Sequence, residues 1–147
     1  MTRRLVPALL AGVLALGLAG CSDTKEAVSV TAGPTASAAP ANGTAVDAQT
    51  FAEAAKMPGT TIIDVRTPAE FAQGHLEGAV NIDIEGPDFQ SQVAQLDPTA
   101  PYAVYCRSGN RSGAAVSFMT ANGFSEVYHL TGGIGAWEQA GGQFVTG

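Results

Sequence analysis

The feature that most constrains the fold is an alternation of short apolar runs with helix-start signals, which begins near residue 46. The run TTIIDV, residues 60–65, is a β-branched segment of the kind found in buried parallel strands. Thr67, Pro68 and Glu70 follow it directly and supply a helix cap, a first-turn proline and the glutamate of a capping box. The chain therefore passes from a strand straight into a helix.

The same alternation repeats along the rest of the chain. Further apolar runs predict strands, and the segments after them predict helices: strands at 79–82, 102–105 and 127–130, and helices at about 87–96, at about 110–121 and after 133. An earlier helix is predicted after Asp47, with Val46 and Phe51 at the two positions of a hydrophobic staple. This pattern predicts one α/β domain over residues 46–147, with a central, mainly parallel sheet flanked by helices.

The first twenty residues have the pattern of an export signal. Two arginines precede an apolar run over residues 5–20, which is shorter than a comfortable membrane span and ends in small residues. Leu18-Ala19-Gly20-Cys21 resembles the lipobox of bacterial lipoproteins, and this resemblance implies cleavage before Cys21 and lipidation of its thiol. An ordinary secretory signal or an uncleaved anchor is the alternative.

Residues 21–45 contain mostly Ala, Ser, Thr, Gly and Pro without a hydrophobic period, which predicts a flexible tether. The formal net charge of the chain is −6 and becomes more negative when the signal is removed. Such a charge argues against nucleic acid or anionic lipid as a partner. We therefore expect a domain held to the membrane by acyl chains, on the extracytoplasmic side, at the cell surface or in a periplasm.

The second cysteine stands in the segment YCRSGNRSG, directly after the predicted strand at 102–105. Functional sites of open parallel sheets lie at the carboxyl ends of strands, and Cys106 occupies such a position. Gly109 can adopt a positive φ, so the loop can curl with its N–H groups turned inward. These donors, the next helix terminus and the guanidiniums of Arg107 and Arg111 favour a thiolate. Cys106 is therefore the candidate nucleophile, and an inert buried thiol is the alternative.

The length of this loop bears on its chemistry. Cysteine-dependent phosphatases have histidine before the cysteine and five residues between the cysteine and an arginine, whereas here Tyr105 precedes Cys106 and four residues separate it from Arg111. Ser112 stands where that arginine would be needed. A tighter loop has less room for a phosphoryl group but can hold a single sulfur atom. The loop therefore favours sulfur transfer over a phosphatase or arsenate reductase.

In the cysteine loop and in several further motifs, the chain resembles the rhodanese family of thiosulfate sulfurtransferase-like domains. The resemblance extends from about residue 46 to 142 and rests on motifs in the family's order: Asp64-Val65-Arg66, Glu70-Phe71, residues 74–82, residues 106–112, Gly123-Phe124, residues 130–134 and Trp137. It implies a single-domain parallel sheet flanked by helices, with Cys106 opening the active loop. The implied reaction transfers sulfur from a donor such as thiosulfate to a nucleophilic acceptor through a Cys106 persulfide.

The remaining candidate residues have less specific roles. The loop positions expected to bind substrate are Arg107, Ser108, Gly109, Asn110, Arg111 and Ser112. The two arginines are candidates for holding a small anionic donor, although both can instead bind surface carboxylates.

Asp64 and Arg66 are expected to pair beside the loop. His75 is either a proton shuttle or, as we favour, a structural hydrogen-bonding residue, and Trp137 belongs to the core or to the cleft wall. His75, His129 and Cys106 do not form a metal-ligand motif, so no metal or cofactor is predicted. A persulfide carrier or redox-sensing interaction module with little turnover is the alternative to an active enzyme.

Overall fold

A computed structural model describes residues 38–147 of the chain. The predicted signal peptide, Cys21 and the tether as far as residue 37 lie outside the described residues. The strands are β1 (Thr44–Val46), β2 (Thr61–Asp64), β3 (Val80–Asn81), β4 (Pro101–Tyr105) and β5 (Glu126–Leu130). The helices are α1 (Ala48–Ala55), α2 (Pro68–Gln73), α3 (Phe89–Val93), α4 (Asn110–Ala121) and α5 (Gly133–Gln139). Within this part of the chain, no helix has both the length and the hydropathy that crossing a membrane requires.

The five strands form one sheet in the order β1-β5-β4-β2-β3, and every neighbouring pair is parallel. This confirms the predicted α/β class. Strand β3 lies on one side of β2, and β4 lies on the other, so the winding of the chain reverses between β2 and β4. Crevices at the carboxyl ends of strands beside such a reversal are the usual sites of open α/β sheets. Strand β4, which ends at Tyr105, borders this position.

Helices cover both faces of the sheet and create two apolar clusters. On one face, Phe51 of α1 packs near Tyr128 of β5 and near Trp137 of α5, with ring centroids 5.9 and 6.3 Å away. The other cluster joins the inward side chains of α3 and α4 to β4 and β5 and includes Cys106. Trp137 has no exposed surface, so it belongs to the core. The nucleophile candidate is thus part of a packed layer.

Local signals in the sequence account for most of the element boundaries. Asp47 caps α1 by accepting from Thr50 N–H at 2.8 Å, and Thr67 and Glu70 form the predicted capping box of α2. The sequence does not predict strand β1, because residues 21–45 have the composition of a flexible tether. Its three residues pair with β5, and Asn42 just before it bonds the backbone of Phe124 and Val127. The fold therefore includes residues before position 46.

Candidate active site

Cys106 immediately follows β4 and begins a tight loop that leads into α4. Gly109 adopts a left-handed conformation with φ of 96°, which favours glycine, and stands at the cap of α4. Its N–H donates to the Sγ of Cys106 at 3.1 Å. The cysteine has no exposed surface, so a donor molecule reaches the sulfur only when the loop or its side chains move. The loop therefore holds the sulfur against backbone donors.

The environment of the sulfur favours the thiolate. Burial by itself raises the pKa of the Cys106 thiol. Hydrogen bonding from the Ser112 hydroxyl and N–H and from the N–H groups of Ser108 and Gly109 lowers that pKa. These hydrogen bonds outweigh burial, so the pKa of the thiol lies below its ordinary value. The thiolate is the nucleophilic form of cysteine, so this loop favours the reactive form of Cys106.

A second glycine-containing loop, between β5 and α5, supports the cysteine loop. Ile134 N–H donates to the carbonyl oxygen of Cys106 at 2.8 Å. Gly133 has φ of 57°, and a Cβ there would overlap this oxygen and lie 2.6 Å from the carbonyl carbon of Arg107. Glycine is therefore needed because the two backbones touch. This contact explains a function of the Gly132-Gly133 pair that the sequence did not indicate.

Arg111 faces two carboxylates. Its guanidinium binds Glu70 at 2.8 Å and Glu85 at 2.9 Å. The sequence left open whether Arg111 holds an anionic donor or binds carboxylates of the protein, and in the structure it binds carboxylates. The hydrogen bond to Arg111 is the main cause that lowers the pKa of Glu70 to about 2. Arg111 therefore ties α4 to α2 and to the segment before α3, and its charge is largely neutralised.

Arg107, unlike Arg111, does not pair with a carboxylate in the described part of the chain. It is exposed, together with Ser108 and Asn110 of the same loop, and takes part in none of the ion pairs among residues 38–147. It lines a cleft of about 210 Å³, to which Ile134 and Phe144 also contribute. Of the two candidate arginines, Arg107 is thus the one with a guanidinium available to an anion.

Comparison with known proteins agrees with this site. The rhodanese-like domain family matches residues 47–140 of the chain. The chain belongs to the rhodanese-like domain family.

Individual relatives support the same assignment. The thiosulfate sulfurtransferase GlpE of Stutzerimonas stutzeri is 39% identical over 87 residues, which cover 58% of this chain and 77% of that protein. GlpE of Pseudomonas aeruginosa is 40% identical over 80 residues, or 54% of this chain and 70% of that protein. These relatives confirm the predicted enzyme class, so the chain is a thiosulfate sulfurtransferase-like protein.

Solved structures share the fold. A rhodanese-related protein of Thermoplasma volcanium superposes with a TM-score of 0.60 at 30% identity and covers 70% of this chain and 98% of its own. A rhodanese-like domain from Anabaena superposes with a TM-score of 0.56 at 30% identity, over 62% of this chain and 68% of its own.

The charged pair predicted beside the loop lies inside the rhodanese-like domain. Arg66 binds Asp64 with a shortest distance of 2.6 Å, and both side chains are buried. Arg66 also donates to the carbonyl oxygen of Gly74 at 2.7 Å and lies 5.7 Å from the ring centroid of Tyr105. The Tyr105 hydroxyl accepts from the N–H of Leu76 at 3.1 Å. The pair thus holds the turn after α2 against β2 and β4.

His75 belongs to that turn. Its ring stacks on Phe71 with centroids 3.7 Å apart, and its Nδ1 lies 3.0 Å from the carbonyl oxygen of Phe71. Its backbone pairs with Val145 in an antiparallel bridge. The polar contacts of His75 are therefore made with the turn and with the carboxyl-terminal segment.

The sequence did not indicate the contact between Ser112 and His129. The Oγ of Ser112 lies 3.2 Å from Nδ1 of His129, which is in β5. Gly113, the residue that follows Ser112, leaves room for the imidazole beside α4, since a Cβ there would lie 3.3 Å from Cε1 of His129. No group of three or more potential metal ligands occurs in the described part of the domain.

Proposed function

We propose that the chain is an exported, membrane-anchored sulfurtransferase that moves sulfane sulfur from a donor such as thiosulfate to a nucleophilic acceptor through a persulfide on Cys106. The observation that carries the proposal is the donation of Gly109 N–H to the sulfur of Cys106 at 3.1 Å, in a loop with further N–H donors. Such a cradle stabilises negative charge on sulfur in both the thiolate and the persulfide.

The reaction proceeds by two displacements. The Cys106 thiolate attacks the outer sulfur of thiosulfate, the S–S bond of the donor breaks, and sulfite leaves with the bonding electron pair. The acceptor nucleophile then attacks the outer sulfur of the persulfide, and the Cys106 thiolate leaves. With cyanide as acceptor the product is thiocyanate, and charge balances in both steps. Arg107 lines the cleft together with Glu70 and Glu138, and we assign to its guanidinium the attraction of the anionic donor.

A turnover assay tests this chemistry. The full chain should form thiocyanate from thiosulfate and cyanide, and Cys106→Ser should abolish it because a serine hydroxyl is not ionised at neutral pH. Cys21→Ser is the matched control, since it removes the other cysteine and leaves the domain intact. Turnover that persists in Cys106→Ser would contradict the assignment of the nucleophile.

The membrane anchor is tested separately. If Cys21 carries lipid, the chain should incorporate a labelled fatty acid and sediment with membranes, and Cys21→Ser should lose both properties but retain turnover. Sedimentation with membranes in both chains, without fatty-acid label in either, would favour an uncleaved anchor. Recovery in the soluble exported fraction without label would favour an ordinary secretory signal.

A second function, persulfide carriage with little turnover, is supported by the burial of the sulfur and by the neutralised Arg111. In that case exposure to thiosulfate should add the mass of one sulfur atom to the chain, while little thiocyanate forms. The ion pairs of Arg111 also disfavour a phosphatase, because they occupy the arginine that follows the cysteine loop and would have to bind the phosphoryl group. Hydrolysis of p-nitrophenyl phosphate should therefore be absent.

A further inference from the structure

The Ser112 hydroxyl lies among three polar groups but carries only one proton. Its Oγ is 3.1 Å from the carbonyl oxygen of Gly109 and 3.2 Å from Nδ1 of His129, and the hydroxyl is among the donors that lower the pKa of the Cys106 thiol. The Gly109 oxygen already accepts from the N–H of Gly113 at 2.9 Å. A thiolate is therefore the preferred acceptor of the hydroxyl proton, since charged acceptors form the stronger hydrogen bonds.

His129 approaches this hydroxyl from β5. Side chains alternate along a strand, and Val127 belongs to the cluster on the α4 face, so His129 lies on that face as well. A Cβ at Gly113 would lie 3.3 Å from Cε1 of His129, so glycine at this position gives the imidazole room beside the helix. Burial lowers the pKa of His129, and the neutral ring at pH 7 carries one proton.

We propose that His129 is a positioning residue for the nucleophile: its Nδ1–H donates to Ser112 Oγ and directs the hydroxyl proton toward the Cys106 sulfur. In the other tautomer, Nδ1 would accept the hydroxyl proton and draw it away from the sulfur. A negative sulfur favours the first arrangement, because the chain of donors then ends on the charge. The inference rests on the proposed role of Cys106 as nucleophile, and His129 acts only through Ser112.

Few charged groups face the imidazole from the elements packed against it. Arg111 is the one charged residue of α4, and its guanidinium pairs with two carboxylates. Strand β1 carries no titratable residue. On β4, Tyr102 lies on the same side of the sheet and donates to a backbone carbonyl. Burial is accordingly the cause of the lowered pKa of His129, and Ser112 is its polar link to the sulfur.

The test measures the pKa of the Cys106 thiol rather than turnover. The rate of alkylation by iodoacetamide is followed against pH in the full chain, by mass spectrometry of the tryptic peptide 67–107, which contains Cys106 and not Cys21. His129→Phe removes the donor and should raise the thiol pKa by about half a unit to one unit. His129→Asn, whose amide can donate near the position of Nδ1, should restore most of the shift.

Ser112→Ala separates positioning from a general structural effect. This single substitution should raise the pKa of the Cys106 thiol. Adding His129→Phe to it should cause no further rise, because the Ser112 hydroxyl through which His129 acts has already been removed. An unchanged thiol pKa in folded His129→Phe, or an equal rise in the Ser112→Ala background, would overturn the proposal.

The tautomer provides a test in the unsubstituted chain. Nitrogen NMR should find the proton of His129 on Nδ1, and a proton on Nε2 alone would overturn the proposal even if the variants failed to fold. These readouts do not depend on sulfur transfer. A chain that shows them without forming thiocyanate would contradict the proposed enzyme while leaving the role of His129 intact.

Discussion

The sulfur of Cys106 has backbone and hydroxyl donors as its polar neighbours, with Gly109 N–H at 3.1 Å. The two arginines of the loop have separate positions: Arg111 binds Glu70 and Glu85, while Arg107 is exposed at the cleft. Backbone donors keep their positions without side-chain ordering, so they stabilise the sulfur in each state of a reaction cycle. Activation of the nucleophile and attraction of the donor are thus assigned to different groups.

This division predicts different effects for the two arginines. Arg107→Gln should raise the KM for thiosulfate by about tenfold and change kcat little, because it removes a charge that attracts the donor before the chemical step. Added salt should raise the KM of the unsubstituted chain toward that of the variant, since exposed charges are screened. Steady-state thiocyanate assays at two ionic strengths measure both effects.

Arg107→Lys and Arg111→Gln are the controls for that prediction. The lysine variant retains the charge and should lie between the unsubstituted chain and Arg107→Gln in KM. Arg111→Gln should mainly lower the melting temperature, because it breaks two ion pairs. A KM for thiosulfate that depends on Arg111 and not on Arg107 would contradict the assignment.

Single residues differ in how far the sequence reveals their roles. Cys106 and Gly109 belong to one local motif, so their place at a strand end followed from neighbouring residues. The partner of Arg111, Glu70, is 41 residues away, and His129 is 17 residues from Ser112. Such contacts depend on how helices are placed on the sheet, which local patterns do not specify.

At the scale of elements, the contact between the β4–α4 loop and the β5–α5 loop can be tested at Gly133. Gly133→Ala should destabilise the fold by about 3 kcal/mol or more, because the new Cβ overlaps the Cys106 backbone in addition to the strain of a positive φ. Turnover of the folded fraction should also fall strongly, since the cysteine loop must shift. Denaturant unfolding and thiocyanate formation measure the two losses.

Gly123→Ala is the matched control for Gly133→Ala. Gly123 has φ of 89°, but a Cβ there meets nothing within 4 Å. It should therefore cost only the conformational strain, about 1 kcal/mol, and leave turnover unchanged. Equal losses in the two variants would show that backbone strain, and not the contact between the loops, explains the requirement for glycine.

The Glu70–Arg111 pair joins α2 to α4 and should make stability depend on acid. The pKa of Glu70 is about 2 in the folded chain against an ordinary value of 4.5, so its contribution is present above pH 4.5 and is lost as the pH falls toward 2. Glu70→Gln should lower the unfolding free energy at pH 7 by about 1 kcal/mol. In this variant the unfolding free energy should also fall less steeply between pH 4.5 and pH 2. Urea unfolding at several pH values measures this.

Two details sharpen the Glu70 experiment. Glutamine can keep the capping box with Thr67, so the substitution removes the charge more than the cap. Glu85→Gln is the control, because Glu85 binds the same arginine but its side chain is 62% exposed, and it should change stability much less. Parallel pH curves for Glu70→Gln and the unsubstituted chain would contradict the predicted linkage.

Elements with capping and turn signals were predictable, whereas β1 and the order of the sheet were not. The capping box of Thr67 and Glu70 fixes the start of α2 from four neighbouring residues. Strand β1 is a three-residue edge strand, and what makes it a strand is its pairing with β5 more than 80 residues later in the chain. The sheet order likewise arises from packing between distant segments.

At the scale of the whole molecule, an acidic domain with a buried candidate nucleophile follows a predicted tether and a proposed lipid anchor. The described fold holds its amino-terminal end through Asn42, which accepts from Val127 N–H at 2.9 Å and donates to Phe124 O at 3.0 Å. This attachment lies next to β1 at the edge of the sheet. The link between tether and domain is therefore part of the sheet.

Two shortened chains test where the domain begins. Removal of residues 1–37 should leave the melting temperature unchanged, because the predicted signal is expected to be cleaved and the tether lacks a hydrophobic period that would pack on the domain. Removal of residues 1–45 deletes Asn42 and most of β1, and should lower the melting temperature by several degrees. It also exposes the edge of β5, so self-association should increase. Circular dichroism and size-exclusion chromatography measure these effects, and identical melting and elution of the two chains would place the start of the domain at residue 46 after all.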